Sequence, residues 1–235
     1  MVEPTAAPPG LELVRHWCRV AAQTTESQRF LLSHLASGLV GRGWLHPLDK
    51  LRESAADALG EPVDRVNADL DALVALDLVT VQDGKVTTVG ALLAARSTGI
   101  DFVLDAQHAV HLVGPLAALA AAVALHRKGE VRAVCADDAT TRLVLVCDAS
   151  GIFERRPESI GLFLPAWDGQ GSPVAYASGG GLFRDDDALG RWQEQHGDPP
   201  GMPVASFLFP MAAAELGEEL GRALAPLFDR LPDYD

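Results

Sequence analysis

Cysteine is scarce in this sequence: Cys18, Cys135 and Cys147 are the only three in 235 residues, too few and too scattered for a disulfide framework. A net positive charge is absent as well. Nineteen Lys and Arg stand against 32 Asp and Glu, a formal charge of −13, so the mean field repels phosphate backbones and anionic lipid. There are no internal repeats and no low-complexity tracts. No apolar run reaches the roughly 20 residues of a bilayer span: the longest, Ala109 to Leu125, is interrupted by His111 and by Gly114-Pro115 and reads as a buried helix. The opening Met-Val-Glu-Pro lacks the basic and apolar regions of a signal peptide, which gives the expectation of an acidic cytoplasmic protein without a membrane partner. What the chain does have is 48% hydrophobic and 22% charged residues, a composition that supports a buried core.

The first ten residues, with Pro4, Pro8, Pro9 and Gly10, carry no periodicity and predict a loose arm. Helical spacing then runs over Leu11 to Ala22 and over Ser27 to Leu39, with Gly41 and Gly43 as stops. Pro47 suits the first turn of a short helix ending at Gly60, and Val63, Val66, Leu70, Leu73, Val74 and Leu76 mark one face of a third. Val79 to Val81 and Val86 to Val89 flank Asp83-Gly84, the signature of a tight hairpin. Helix, turn, helix and hairpin predict a winged-helix-like domain over residues 1–98. Beyond Gly99 the texture changes. Strand-like runs are Ile100 to Leu104, Val131 to Cys135, Arg142 to Cys147, Ile160 to Leu164, Val174 to Ala177 and Val204 to Phe209. Helical runs are Pro115 to His126, Asp185 to His196 and Met211 to Phe228. The expected fold class is α+β, with a mixed α/β domain over residues 99–235.

Phe102-Val-Leu-Asp105, the alanine-rich helix Pro115 to Leu125, and Val131-Arg-Ala-Val-Cys135 resemble the strand, active-site helix and cysteine-bearing hairpin of the organomercurial lyase (alkylmercury lyase) family. Gly181-Leu-Phe183 and Ala188-Leu-Gly-Arg-Trp-Gln-Glu-Gln-His196 are similar to that family's aromatic strand end and its tryptophan-bearing helix. The resemblance implies a winged-helix-like region used as a buttress, followed by a small catalytic α and β domain. It also implies chemistry by two cysteine thiolates and an aspartate. The first cysteine and the aspartate would fall around Val113 or Gly114 and Leu116 or Ala117, and the second cysteine near Ala177 or Ser178; none of these is a thiol or an acid here. Cys135 alone matches, at a position the resemblance implies is structural. The scaffold without the lyase chemistry is the expectation, so organomercurial cleavage is not.

The remaining constellations carry alternatives. Pairing the two cysteine-bearing strands about the Asp137 to Thr140 turn leaves Cys135 and Cys147 about 17 Å apart, too far for a shared ion or a disulfide. His108 and His111, with Asp105 before them, supply imidazole and carboxylate either to a metal or as proton donors lining a pocket, but odd spacing in a strand points them apart. No metal and no cofactor are expected. Ser178 before Gly179-Gly180-Gly181 lacks the surroundings of a nucleophile elbow or a phosphate loop, leaving a flexible loop over a pocket. The resemblance sets this loop opposite Gly114, Ala117 and Ala118, whose small side chains serve a cavity or tight packing equally. The segment Glu61 to Asp77 carries five acidic residues against Arg65, the wrong sign for a helix in a DNA groove. Residues 1–98 hold nine basic and twelve acidic side chains, so a nucleic-acid partner is not expected.

The leading expectation is a small-molecule enzyme of lyase, isomerase or cyclase type on this scaffold. Its candidate catalytic residues are His108, His111, Tyr176 and Ser178, and its pocket residues Val113, Gly114, Ala117, Ala177 and Gly179. The alternatives are a non-catalytic ligand-binding or regulatory protein, and a structural module whose cavity is filled by Leu116, Leu119, Phe183 and Trp192. The oligomeric state stays open.

Overall fold

The computed structural model describes residues 11–104 and 108–231; the expected N-terminal arm and Asp105 lie outside the described residues. Helix α1 (Leu11–Ala22) buries Leu13, Val14, Trp17 and Val20, the one-sided spacing that predicted it. Helix α2 (Glu26–Arg42) opens with a capping box: Gln28 N donates to Thr25 Oγ1 at 3.3 Å and Thr25 N donates to Gln28 Oε1 at 2.9 Å. It ends at Gly43, whose φ of 72° favours a residue without a Cβ. Helices α3 (Leu48–Leu59) and α4 (Val63–Ala75) follow. On α4 the buried face is Val66, Asp69, Leu70 and Leu73, while Val63 and Val74 point outward instead of completing the expected apolar face. Ser27 Oγ donates to the buried Asp69 Oδ2 at 2.7 Å, so this acid ties α4 to α2.

Strands β1 (Val79–Gln82) and β2 (Lys85–Val89) form the expected hairpin, with Asp83 and Gly84 at φ 51° and 70°, the positive values of a type I′ turn. Strand β3 (Leu93–Ala94), β4 (Ile100–Val103) and β5 (Ala109–Leu112) come next. The run Ala109 to Leu125 is therefore not one helix. Its first four residues are β5, and the chain turns at Gly114 into α5 (Pro115–Leu125), where Pro115 takes the first turn because it has no amide hydrogen to leave unpaired. The chain continues through β6 (Gly129–Val134), β7 (Arg142–Asp148), β8 (Gly151–Arg156) and β9 (Gly161–Pro165). It closes with α6 (Pro173–Ala177), β10 (Gly181–Phe183), α7 (Asp186–Gln195), β11 (Gly201–Val204), α8 (Phe209–Ala212) and α9 (Glu218–Leu224).

Three expectations are corrected. Val174 to Ala177 is helix α6, because Pro173 at its first position sets a helical φ that the β preference of Val174 and Tyr176 does not override. The strand expected at Val204 to Phe209 is displaced to Gly201–Val204: the Asp186 carboxylate accepts from Ser206 N at 2.7 Å and Ser206 Oγ at 3.1 Å and turns the chain there. The helix expected over Met211 to Phe228 is broken into α8, a π turn (Ala213–Gly217), α9 and a 3-10 turn (Ala225–Leu227) containing Pro226.

Eight strands make an antiparallel sheet in the order β1-β2-β3-β5-β4-β6-β7-β8, and β10-β9-β11 make a second, smaller one. Because β3 pairs with β5, the sheet continues across residues 98 and 99. Ser33 Oγ on α2 donates to Leu227 O at 2.9 Å, and the two expected segments share one core. At its centre is α5, with all 11 residues buried. Gly217, ending the π turn, and Gly221 on α9 approach it so closely that a Cβ on either would lie 2.7 Å from Leu119 Cβ or 2.6 Å from Val123 Cβ, respectively. The β6/β7 register sets Val134 opposite Arg142 and Gly129 opposite Cys147, which places Cys135 and Cys147 at opposite ends of the pair.

Candidate functional site

The start of α5 and the end of α6 do meet. Gly114 has an extended backbone (φ 178°), and a Cβ built there would sit 2.1 Å from Ala177 O and 2.9 Å from Ala177 C. A Cβ on Gly180 would lie 2.2 Å from Phe163 O and 2.8 Å from Pro115 Cγ. Ala117, Ala118 and Ala177 are buried. The small residues here serve contact between backbones. Leu116 and Leu119 are buried alongside, and the Trp192 ring packs 5.0 Å from Phe163, 5.4 Å from Phe183 and, stacked, 4.5 Å from His196.

Beside this contact lies an open cleft of about 410 Å³, between the β1–β2 hairpin, the Arg96–Thr98 segment and α6. Val113 and Ser178 line it, while Gly114, Ala117, Ala177 and Gly179 do not. One wall is a hydroxyl cluster made by an irregularity in the hairpin. A two-residue turn with unbroken pairing would set Thr80 opposite Thr87 and Val79 opposite Thr88. The register instead shifts after Thr80, giving Thr80↔Thr88 and Val79↔Val89 and leaving Thr87 as the extra residue of a β-bulge. The shift pairs two buried valines and brings Thr87 Oγ1 and Thr88 Oγ1 to 2.6 and 2.7 Å from Thr80 Oγ1. The Thr87-Thr88 doublet, which breaks the alternation of the strand, is the sequence signal that went unread.

Several lining hydroxyls have already placed their protons: Thr98 Oγ1 donates to Leu112 O at 2.6 Å, Ser178 Oγ to Ala175 O at 2.8 Å and Thr87 Oγ1 to Thr80 O at 3.2 Å. The remaining donors are Gln82, Ser97, Ser172 and Arg96. Arg96 is the one charged side chain in the lining, and it makes no ion pair among the described residues.

The two expected histidines are not lining residues, although His111 is registered opposite Ala94, which is. His111, on β5, sits across from Asp101 in the β4/β5 register, and its Nδ1 donates to Asp101 Oδ1 at 2.6 Å. His108 precedes β5, where its carbonyl accepts from Leu104 N at 2.9 Å. Tyr176 is half-buried near Gly171. Neither histidine nor Tyr176 lines the cleft, so the four catalytic candidates are not brought together. Among the described residues no group of three or more His, Cys, Asp or Glu is placed to hold a metal.

A second cleft, of about 600 Å³, was not foreseen. It lies between α1 and the loop before α6, lined by Glu12, His16, Arg19, Asp77, Trp167, Asp168 and Pro173 among others. The His16 ring meets Trp17 and Trp167 edge-on at 5.0 and 4.6 Å. Its Nε2 is buried without a hydrogen-bond partner among the described residues. Burial, and secondarily Arg19, lowers its pKa against an opposing pull from Asp77.

These layers define the class: a mixed α+β fold of the MerB kind, built on an antiparallel sheet with a buried alanine-rich helix. Among the solved structures it matches is the crystal structure of the mercury-bound form of MerB2, with a TM-score of 0.67 and 14% sequence identity, covering 91% of this chain and 99% of that one. At that identity the likeness is one of fold. No protein-family model and no curated protein matches the sequence. No helix among the described residues is long and apolar enough to cross a membrane.

Proposed function

We propose that this chain is a ligand-binding protein on a MerB-like scaffold, and that its ligand is a small organic molecule bearing a carboxylate or similar compact anion. The observation that carries the reading is Arg96: an exposed guanidinium, the one charge lining the 410 Å³ cleft beside Val113 and Ser178 and without an ion pair among the described residues, on a chain whose net charge is −13. Gln82, Ser97 and Ser172 add neutral donors, and the Thr80, Thr87 and Thr88 cluster accepts from hydroxyl or amine groups on the same molecule. The lining contains no Cys, His, Asp, Glu or Lys, so it holds no proton-transfer pair and no soft ligand for mercury. The sequence resemblance to organomercurial lyases supports a site next to the start of α5, and the MerB-like fold supports the scaffold alone.

The test is calorimetry against a panel of small carboxylates and their amides, with Arg96→Ala and Thr80→Val. Carboxylate binding that Arg96→Ala weakens about tenfold, the scale of a charge-assisted contact, is the expected result. Equal binding of acid and amide, or an unaffected Arg96→Ala variant, overturns it. Release of mercury from an organomercurial in the presence of thiol would show that the lyase chemistry is retained. A second reading rests on His16: an imidazole kept neutral in the larger cleft beside Asp77 suits a proton-transfer enzyme, and turnover abolished by His16→Phe but not by Arg96→Ala would favour it.

A further inference from the structure

On the opposite side of β9 from β10, strand β11 borders an apolar groove of about 470 Å³ that belongs to neither cleft. Its floor is Val204, Ala212 and Leu216, all buried, and its walls are Leu11, Met202, Leu208 and Met211. Met211 is 52% exposed, a large apolar side chain left partly in water at the rim. The only charged groups in the lining are Glu215 and Glu219. They stand four residues apart on neighbouring turns, both are exposed, and neither forms an ion pair with an Arg, Lys or His of the described residues. Like charges at that spacing repel, and nothing in the groove offsets them. Glu215 and Leu216 sit in the π turn Ala213–Gly217, which opens the helix by one residue along the groove; single π turns recur at binding sites.

We infer that the groove binds an apolar organic ammonium, its hydrocarbon body between Met202, Leu208, Met211 and Leu216 and its cation between the Glu215 and Glu219 carboxylates. Charge complementarity selects the occupant: both charges in the lining are negative, and a cation relieves their repulsion. The volume falls within the range of small-molecule sites. An added β-strand fits poorly, because the outer edge of β11 carries Pro203, which has no amide hydrogen to offer a partner strand. This site is independent of the Arg96 cleft, and the opposite ligand charge keeps their tests separate.

The experiment is titration of the full chain with 4-phenylbutylamine, 4-phenylbutan-1-ol and 4-phenylbutyrate at neutral pH and low salt, read by calorimetry. The amine is expected to bind about tenfold more tightly than the alcohol, the scale of two exposed ion pairs, and the preference is expected to shrink as salt rises. Glu215→Gln with Glu219→Gln should erase the preference while leaving the alcohol unchanged. Met211→Trp, at an exposed position, should block all binding in the groove without altering the circular dichroism or the melting temperature. Equal binding of amine and alcohol, a preference that survives the double variant, or absence of amine binding overturns the inference. So does a basic amphipathic peptide that binds where the amine does not, or a concentration-dependent dimer abolished by Met211→Trp.

Discussion

Gly114→Ala asks whether α5 and the Ala177–Ser178 segment are in contact or enclose a space. The added Cβ would stand 2.1 Å from Ala177 O, 2.9 Å from Ala177 C and 3.1 Å from Ser178 Cα. All three are backbone atoms, so no side-chain rotation relieves the overlap. The extended φ of Gly114 costs alanine nothing, which makes the effect purely steric. Overpacking of this kind costs about 2–3 kcal/mol. For a domain of this size each kcal/mol lowers Tm by about 2–4 °C, giving an expected drop of about 4–12 °C. Gly190→Ala on α7 is the control: a Cβ there meets nothing within 4 Å, and removing a helix glycine should stabilise by about 0.5–1 kcal/mol. Differential scanning calorimetry reads both variants. If Gly114→Ala melts with the wild type, the segments have room between them and the packing argument fails. Gly114→Cys should cost at least as much as Gly114→Ala, so a thiol where the lyase resemblance sets one would require residues 177–178 to move.

Two further outcomes follow from the electrostatics. The Asp138 carboxylate accepts from Thr140 N and Thr141 N at 2.9 and 2.8 Å and from Thr141 Oγ1 at 2.7 Å, which holds its pKa well below the ordinary 3.8; Arg184 Nη1 donates to it at 2.6 Å. A depressed folded-state pKa contributes stability that is present above 3.8 and lost as pH falls below it. Asp138→Asn should therefore be less stable than wild type at pH 7, with the gap closing below pH 3.8 in urea titrations; a constant gap contradicts the assignment. Burial pushes the Cys147 thiol up to about 12 and also raises Cys18, where Glu219 adds to the shift. In the native state at pH 8, iodoacetamide should modify half-buried Cys18 slowly and leave buried Cys135 and Cys147 intact, as read by peptide mass spectrometry. Modification of Cys147 first would contradict the packing of β7.

Local patterns account for what was legible in advance. The Asp83-Gly84 turn, the stop at Gly60, the Pro115 start of α5 and the acidic start of α7 at Asp185 each act within a few residues, and each element formed there. The α+β class follows from those elements. Short elements stabilised by distant partners were misread. Strand β3 has two residues and exists because β2 and β5 flank it; α6 has five, and β11 ends where Asp186 captures Ser206.

The candidate sites divide the same way. Sequence alone determined which residue types are available: no thiol at 113–114 or 177–178, an acidic surface, and three cysteines. Only the tertiary structure decided which of them share a space. It brought Val113 and Ser178 to a cleft with Arg96, paired His111 with Asp101 outside the lining of that cleft, and set His16 against Trp167. The physical reason is that side-chain chemistry is carried by each residue. Proximity is set by sheet register and by how closely two backbones approach, as at Gly114 and Ala177, and neither is written in local spacing.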